Sequence, residues 1–117
     1  MPALMFGTIK NKLGETLDYT FHEGSANCRD LLIIGHGVTG NKDRPFVVAL
    51  ADAVSASGIN VIRFSFAGNG DSDGEFRDCT ISKEVDDLQA VLSVVEEKNY
   101  RAIYAGHSMG GAVGVLA

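Results

Sequence analysis

A serine between two glycines is the first residue of this chain that could do covalent chemistry. Ser108 stands in the pattern Gly106-x-Ser108-x-Gly110, directly after an apolar run, Arg101–Gly106, that has the composition of a buried strand. A strand, a sharp turn and a helix at this spacing form a nucleophile elbow, which lifts the serine hydroxyl above the strand ends. The flanking glycines remove Cβ atoms that would crowd the turn. We interpret Ser108 as a nucleophile, with an ordinary strand-to-helix turn as the alternative.

A second glycine-rich stretch, "GHGVTG" at residues 35–40, matches the letters of the dinucleotide-binding fingerprint. That fingerprint needs the following helix to begin inside the motif and an acidic residue near the end of the next strand. Here Pro45 indicates a helix that starts later, and the next strand ends in Ser65 and Phe66. The Gly-Lys-Ser/Thr of a phosphate-binding Walker loop is also missing, so nucleotide binding is the weaker alternative.

An oxyanion hole is the better interpretation of this stretch. Acyl transfer builds negative charge on a carbonyl oxygen, and two backbone N–H groups can stabilise it. Around a nucleophile elbow, one donor comes from the residue after the serine, here Met109, and one from the loop after the central strand. In that loop we expect Val38 to be the donor.

The elements that must position these residues alternate along the chain. We predict strands at residues 4–9, 16–23, 30–35, 59–66 and 101–106, and helices at 45–58, 82–98 and after Ser108. A hairpin followed by alternating strands and helices predicts the α/β class: a mostly parallel, doubly wound sheet with an N-terminal antiparallel hairpin. Nothing in the sequence divides residues 1–117 into more than one domain.

Helical spacing also predicts which faces are buried. In the first helix the apolar stripe is Val47, Leu50, Ala51 and Val54, and in the second it is Val85, Leu88, Leu92 and Val95. Aspartates and glutamates should cover the outer face of the second helix, and Asp43 is placed to cap the first.

Composition excludes several function classes. The chain has 117 residues, 10 basic and 15 acidic residues and a net charge of −5, with no basic stripe, so nucleic acid is an unexpected partner. No apolar run is long enough to cross a bilayer and no secretory signal is visible, which predicts a cytoplasmic protein without membrane contact. Its two cysteines, Cys28 and Cys79, are expected to be free thiols.

With both motifs in view, the chain resembles the α/β-hydrolase superfamily, and carboxylesterases of the cinnamoyl/feruloyl-esterase and serine-aminopeptidase-like type in particular. Three stretches carry the resemblance, at residues 36–44, 63–76 and 106–111. The resemblance implies Ser108 as nucleophile, Val38 and Met109 as oxyanion donors, and the strand order 1-2-4-3-5. It implies a loop-shaping role for the motif residues His36, Gly37, Gly40, Gly106, His107 and Gly110. It implies no metal and no organic cofactor.

The chain departs from this family in two respects. Asn69 stands where relatives often have histidine, and the acid and histidine of the family's triad come from later loops, with nothing after Ala117. We therefore expect the N-terminal portion of a serine esterase, inactive by itself. Its expected partners are a small ester substrate and either a complementary C-terminal half or a second copy bound at the exposed last strand. A non-catalytic binding module of the same fold remains the alternative.

Overall fold

The computed structural model describes residues 6–37, 40–75, 77 and 80–106. In chain order the elements are β1 (Ile9–Lys10), β2 (Thr16–Leu17), β3 (Tyr19–His22), β4 (Asp30–Gly35), α1 (Pro45–Ala56), β5 (Asn60–Phe64), α2 (Ile81–Glu97) and β6 (Arg101–Gly106). The helix predicted after Ser108 lies outside the described residues. Within the described residues no helix has the length and apolarity needed to span a membrane.

The main sheet has four strands in the order β3-β5-β4-β6. β4 runs parallel to both β5 and β6, and β3 closes the other side antiparallel to β5. This confirms the implied order for the second to fifth predicted strands. The first predicted strand is shorter than expected and stands outside this sheet, because β1 pairs only with β2, in the antiparallel N-terminal hairpin.

The second predicted strand is divided in two at Asp18. The carbonyl of Asp18 accepts a hydrogen bond from the Ser65 amide (2.9 Å), and its own amide donates to the Ser72 hydroxyl (2.7 Å). Both backbone groups are thus committed to the loop that follows β5, so they are not available to a strand ladder. The chain bends there, so that β2 pairs with β1 while β3 pairs with β5.

The helices cover opposite faces of the sheet, as a doubly wound fold requires. On one face Val47 and Ala51 of α1 pack against Ile34 and Val61. On the other, α2 packs on a larger cluster that contains Leu31, Ile33, Ile62, Phe64, Leu88, Val91 and Val95. Leu50 does not fit the predicted stripe, since 38% of its surface is exposed.

The two helices begin differently. α1 starts at Pro45, as predicted, but its N-cap is Arg44 and no side chain caps it. The prediction of Asp43 as cap is wrong, because its carboxylate instead accepts hydrogen bonds from Arg63 and Lys42. α2 starts one residue before the predicted position, since the Thr80 hydroxyl accepts the Lys83 amide (3.0 Å) and caps it.

Candidate active site

The two glycine-rich stretches leave neighbouring strands at the same level. In the parallel ladder of β4 and β6, Gly35 is paired with Gly106. The loop at residues 36–44, called the glycine loop below, therefore begins beside the point from which the chain continues toward Ser108. In open α/β sheets this carboxyl edge of the strands is where ligands bind.

His36 fixes the start of the glycine loop. Its side chain is buried, and its Nε2 accepts a hydrogen bond from the Phe66 amide (3.0 Å). Because Nε2 is an acceptor, the ring proton is on Nδ1, which donates to the Gly37 carbonyl (2.7 Å). Burial lowers the pKa of His36. The hydrogen bond to the Gly37 carbonyl opposes this change, and the positive charge of Arg44 adds to it. His36 is therefore a neutral link between the glycine loop and the loop after β5.

Gly40 closes the first turn of the glycine loop. Its amide donates to the Gly37 carbonyl (3.0 Å). A Cβ atom at this position would lie 3.0 Å from that carbonyl oxygen and 3.2 Å from the His36 ring, closer than ordinary van der Waals contact. Glycine at position 40 thus allows a close backbone approach. The loop-shaping role of His36, Gly37 and Gly40 stays a prediction.

The end of the glycine loop is anchored to β5 and the residue after it. The Lys42 amide donates to the hydroxyl of buried Ser65 (3.0 Å), and its carbonyl accepts from Nη1 of Arg63 (2.9 Å). The same Nη1 contacts the Asp43 carboxylate at 2.7 Å. With His36 at the other end, the loop is held from both sides by residues 63–66.

The loop after β5 is itself fixed by buried polar groups. The Ser72 hydroxyl donates to the Ser65 carbonyl (2.6 Å), and Asn69 donates through its side-chain amide to the Ala67 carbonyl (3.2 Å). Gly70 has a φ of +52°, and a Cβ there would lie 2.8 Å from the Ser65 hydroxyl. Asn69, the departure from the family pattern, is buried and hydrogen-bonded in this structure.

Two acidic residues of α2 contradict the expectation that its carboxylates face solvent. Asp87 is fully buried and accepts from the Asn11 side chain (2.8 Å) and the Ala67 amide (2.9 Å). Burial raises the pKa of Asp87, although these hydrogen bonds oppose the change. Burial, followed by the charge of Asp87, raises the pKa of Glu84 to about 7. Both carboxyl groups thus lie inside the molecule, on the side of the sheet that α2 covers.

A sequence signal for this burial does exist. Positions 84, 88, 91 and 95 continue one helical stripe by steps of three or four, and Leu88, Val91 and Val95 are buried with Glu84. The predicted stripe was drawn through apolar residues only, so it did not include Glu84. Tyr104 of β6 packs on the same side of the sheet as α2. Its pKa is raised by burial and, to a smaller extent, by the charge of Glu84.

An apolar cavity of about 170 Å³ opens at the same edge of the sheet. Its lining is Ile34, Gly35, Phe46, Leu50, Ala105 and Gly106. Phe46 is 48% exposed, Leu50 38% and Ile103 of β6 47%. Ala102 and Tyr104 pack on the α2 side, so the alternate residues Ile103 and Ala105 face the α1 side. These four residues, Phe46, Leu50, Ile103 and Ala105, form what we call the β6–α1 face.

Five of the predicted site residues lie outside the described part of the chain: Val38, His107, Ser108, Met109 and Gly110. Within the described residues, no group of three or more histidines, cysteines or carboxylates could hold a metal ion. The nucleotide alternative loses support, since α1 begins five residues after Gly40 and the Ser65 hydroxyl at the end of β5 is already bound to Lys42.

Comparison with known proteins gives the same fold. Residues 26–117 match the family described as serine aminopeptidase, S33. An uncharacterized 31.7 kDa protein of Escherichia coli, from the traX-finO intergenic region, is 29% identical over an alignment of 106 residues that covers 86% of this chain and 37% of that protein.

Two solved structures are similar over nearly the whole chain. Est1E from Butyrivibrio proteoclasticus, with ferulic acid bound, superposes with a TM-score of 0.85 at 30% identity. The match covers 94% of this chain and 45% of the Est1E chain. A serine hydrolase without a lid from Xanthomonas campestris has a TM-score of 0.78 at 28% identity, covering 92% and 51%. The chain thus spans about half of these structures, and less of the Escherichia coli protein.

Proposed function

The chain belongs to the serine aminopeptidase S33 family of α/β hydrolases, and from this premise we propose that it supplies the nucleophile half of a serine esterase. One observation carries the proposal. Gly35 and Gly106 are paired in adjacent parallel strands, so the glycine loop starts beside the end of β6, two residues before Ser108 in the sequence. A nucleophile and an oxyanion donor need this juxtaposition, because both must reach one carbonyl group.

The proposed reaction passes through an acyl-serine intermediate. The Ser108 hydroxyl attacks the ester carbonyl carbon and gives its proton to a general base, while the amides of Val38 and Met109 stabilise the oxyanion. Collapse of the tetrahedral intermediate breaks the bond to the alcohol, which leaves with the proton returned by the base. Water then attacks the acyl group by the same steps and releases the acid and Ser108.

Carboxylic esters are the proposed substrates, and esters of aromatic acids are the first to test. The similar Est1E structure holds ferulic acid, an aromatic carboxylic acid.

Labelling with a fluorophosphonate tests the nucleophile. In the protein expressed from its full reading frame, we expect the probe to label the wild type and the Ser93→Ala variant, which changes an exposed serine on α2. Ser108→Ala should abolish labelling and the hydrolysis of p-nitrophenyl and feruloyl esters. A folded protein whose Ser108 stays unlabelled would refute the proposal and favour a non-catalytic binding module.

We also propose that these 117 residues are one part of a single hydrolase domain and need a complementary C-terminal half. In the described sheet β6 pairs on one side only, with β4. Beside it lies the β6–α1 face, where three apolar side chains are 38% to 48% exposed. The similar structures are about twice as long as this chain, which supports the view that further strands and helices of the same fold cover this face.

Cysteine protection tests this partner. In a background without Cys28 and Cys79, Ile103→Cys should react rapidly with a maleimide in the 117-residue chain and be protected in the protein from the full reading frame. Leu13→Cys, at a 69% exposed position on the β1–β2 turn, should react in both. Protection in the short chain alone, rising with concentration, would mean self-association instead.

The short chain is also proposed to be inactive. Significant ester turnover by the short chain would contradict its proposed inactivity.

A further inference from the structure

The anchor at the end of the glycine loop contains a residue to which neither the sequence motifs nor the family pattern assigned a part. Arg63 lies on β5, and its side chain is only 12% exposed. Its Nη1 contacts the Lys42 carbonyl at 2.9 Å and the Asp43 carboxylate at 2.7 Å. Its Nε donates at 2.9 Å to Nε2 of His22 on β3. Arg63 therefore spans the distance from β3 to the glycine loop.

The rest of the network explains why arginine suits this position. Lys42, 11% exposed, directs its ammonium group to Asp18 (3.4 Å) and Asp43 (3.1 Å). Nδ1 of His22 is 3.7 Å from an Asp52 carboxylate oxygen on α1. The planar guanidinium carries its donors on separate nitrogens, so Nη1 can serve the loop while Nε serves His22; a lysine offers only one nitrogen on a flexible stem.

We propose that Arg63 is a positioning residue for the glycine loop, and that a neutral His22 orients the Arg63 guanidinium from the opposite side. The proposal deepens the function proposed above, since it concerns the loop that carries the Val38 donor. Anchoring matters for such a donor because a displacement of about 1 Å can cost roughly a hundredfold in rate. Arg63 acts through the Lys42 carbonyl and the Asp43 carboxylate.

The role of His22 depends on its protonation. A ring nitrogen that accepts from Arg63 cannot carry a proton, so protonation would remove this hydrogen bond and place two cations together. Burial lowers the pKa of His22, the charges of Arg63 and Lys42 lower it further, and Asp52 opposes them. The link is therefore intact at neutral pH and is lost as the pH falls through the lowered pKa of His22, below the ordinary imidazole value of about 6.5.

Amide hydrogen exchange in the 117-residue chain tests the positioning role. Arg63→Lys should speed exchange of the Gly40 and Lys42 amides roughly tenfold, while the Ile33 amide of β4 keeps its rate. Arg101→Lys is the matched control, because Arg101 also pairs with a carboxylate, that of Asp30, but at the other end of the sheet. Unchanged loop amides in Arg63→Lys, or equal acceleration at Ile33, would overturn the proposal.

A pH series tests the part of His22. His22→Gln keeps an acceptor for Arg63 but does not titrate. After correction for intrinsic exchange, the wild-type Lys42 amide should exchange faster as the pH falls from about 7 to 5, and this dependence should be weaker in His22→Gln, where only His36 still titrates beside the loop. A variant that retains the wild-type dependence at Lys42 would overturn the assignment to His22.

The consequence for catalysis is measured separately. In the protein from the full reading frame, Arg63→Lys should lower kcat roughly tenfold with little change in KM, since an oxyanion donor acts mainly in the transition state. A higher KM with an unchanged kcat in Arg63→Lys would overturn the proposed positioning role. Because exchange is measured without substrate, failure of the proposed esterase activity would leave that result standing, and the two failures can be told apart.

Discussion

His36 holds the glycine loop only while its imidazole is neutral. The folded state lowers its pKa, so the unfolded chain binds a proton more readily. Its contribution to stability is therefore complete above the ordinary value of about 6.5 and is lost as the pH falls through the lowered folded value. Burial in the folded state thus links His36 to the acid sensitivity of the glycine loop.

We predict this sensitivity from the free energy of unfolding of His36→Gln. At pH 8 the variant should be about 1 to 2 kcal/mol less stable than wild type, because glutamine replaces a buried, packed ring. Below pH 6.5 the difference should shrink, since the variant has no group to protonate. Urea unfolding at several pH values measures both quantities, and a constant difference across the series would contradict the prediction.

Glu84 has the opposite pH dependence. Its pKa is raised to about 7, so the folded state binds the proton more readily between about pH 4.5 and 7, and stability falls as the pH rises through that range. Glu84→Gln removes the buried charge at nearly constant volume. We expect it to raise the free energy of unfolding at pH 8 by about 1 to 3 kcal/mol and to change little at pH 4.5.

Asp86→Asn is the control for this experiment. Its side chain is 38% exposed and lies 4.0 Å from Lys12, a surface pair that contributes little. It should change stability by less than about 1 kcal/mol at either pH. An equal effect of both substitutions would mean that the helix, and not the burial of Glu84, is responsible.

Single elements show where prediction from sequence succeeds. Strands β4 and β6 have the predicted bounds, and α2 differs by one residue at each end, because long apolar runs and helical stripes are strong local signals. The division at Asp18 and the absence of a cap at Asp43 were missed. Both depend on partners far along the chain, Ser72 and Arg63, which no local pattern reveals.

In the candidate site, too, the sequence predicted the local motif but not the contacts with residues far along the chain. The motif pattern indicated the glycine loop, and the structure shows the close packing of Gly40 against His36. The anchoring contacts of Arg63 and Ser65 were not predicted: both residues lie in the stretch at residues 63–76 that carries the resemblance, but the motif does not reveal their contact partners. Their importance follows from the pairing of β4 with β5, which brings residues twenty or more positions apart into contact.

The end of α2 allows a stability prediction. Asn99 has a φ of +65°, and its amide donates to the Glu96 carbonyl (3.0 Å), so it ends the helix in the left-handed region. Asn99→Gly should raise the free energy of unfolding by about 0.5 kcal/mol, because relief of strain outweighs the greater entropy of unfolded glycine. Thr80→Ala, at the other end, should lower it by about 1 kcal/mol. Chemical denaturation measures both, and stabilisation by Thr80→Ala would contradict this account of the caps.

The whole molecule is unevenly packed. Among the described residues, the cluster on the α2 side contains fourteen buried residues, against four on the α1 side. α1 also lacks a side-chain cap and exposes Phe46 and Leu50. Helices with few buried contacts open locally at lower free energy than the core.

We therefore predict unequal protection of the two helices. In the 117-residue chain, central amides of α1 should exchange at least roughly tenfold faster than those of α2. In the protein from the full reading frame the gap should narrow, because the β6–α1 face would then be covered. Equal protection in the short chain would show that α1 is stabilised by contacts other than those described.

The anchors of the glycine loop have a practical consequence. Every described hydrogen bond that fixes this loop, from His36, Ser65 and Arg63, is made within these 117 residues. On the proposed function, a boundary after residue 117 would leave this anchored loop and Ser108 in one piece and the groups that complete the reaction in the other. This is what a split reporter enzyme requires: fused to two interacting proteins, this chain and a complementary half should regain ester hydrolysis, and hence a colour signal, only when the fused proteins meet.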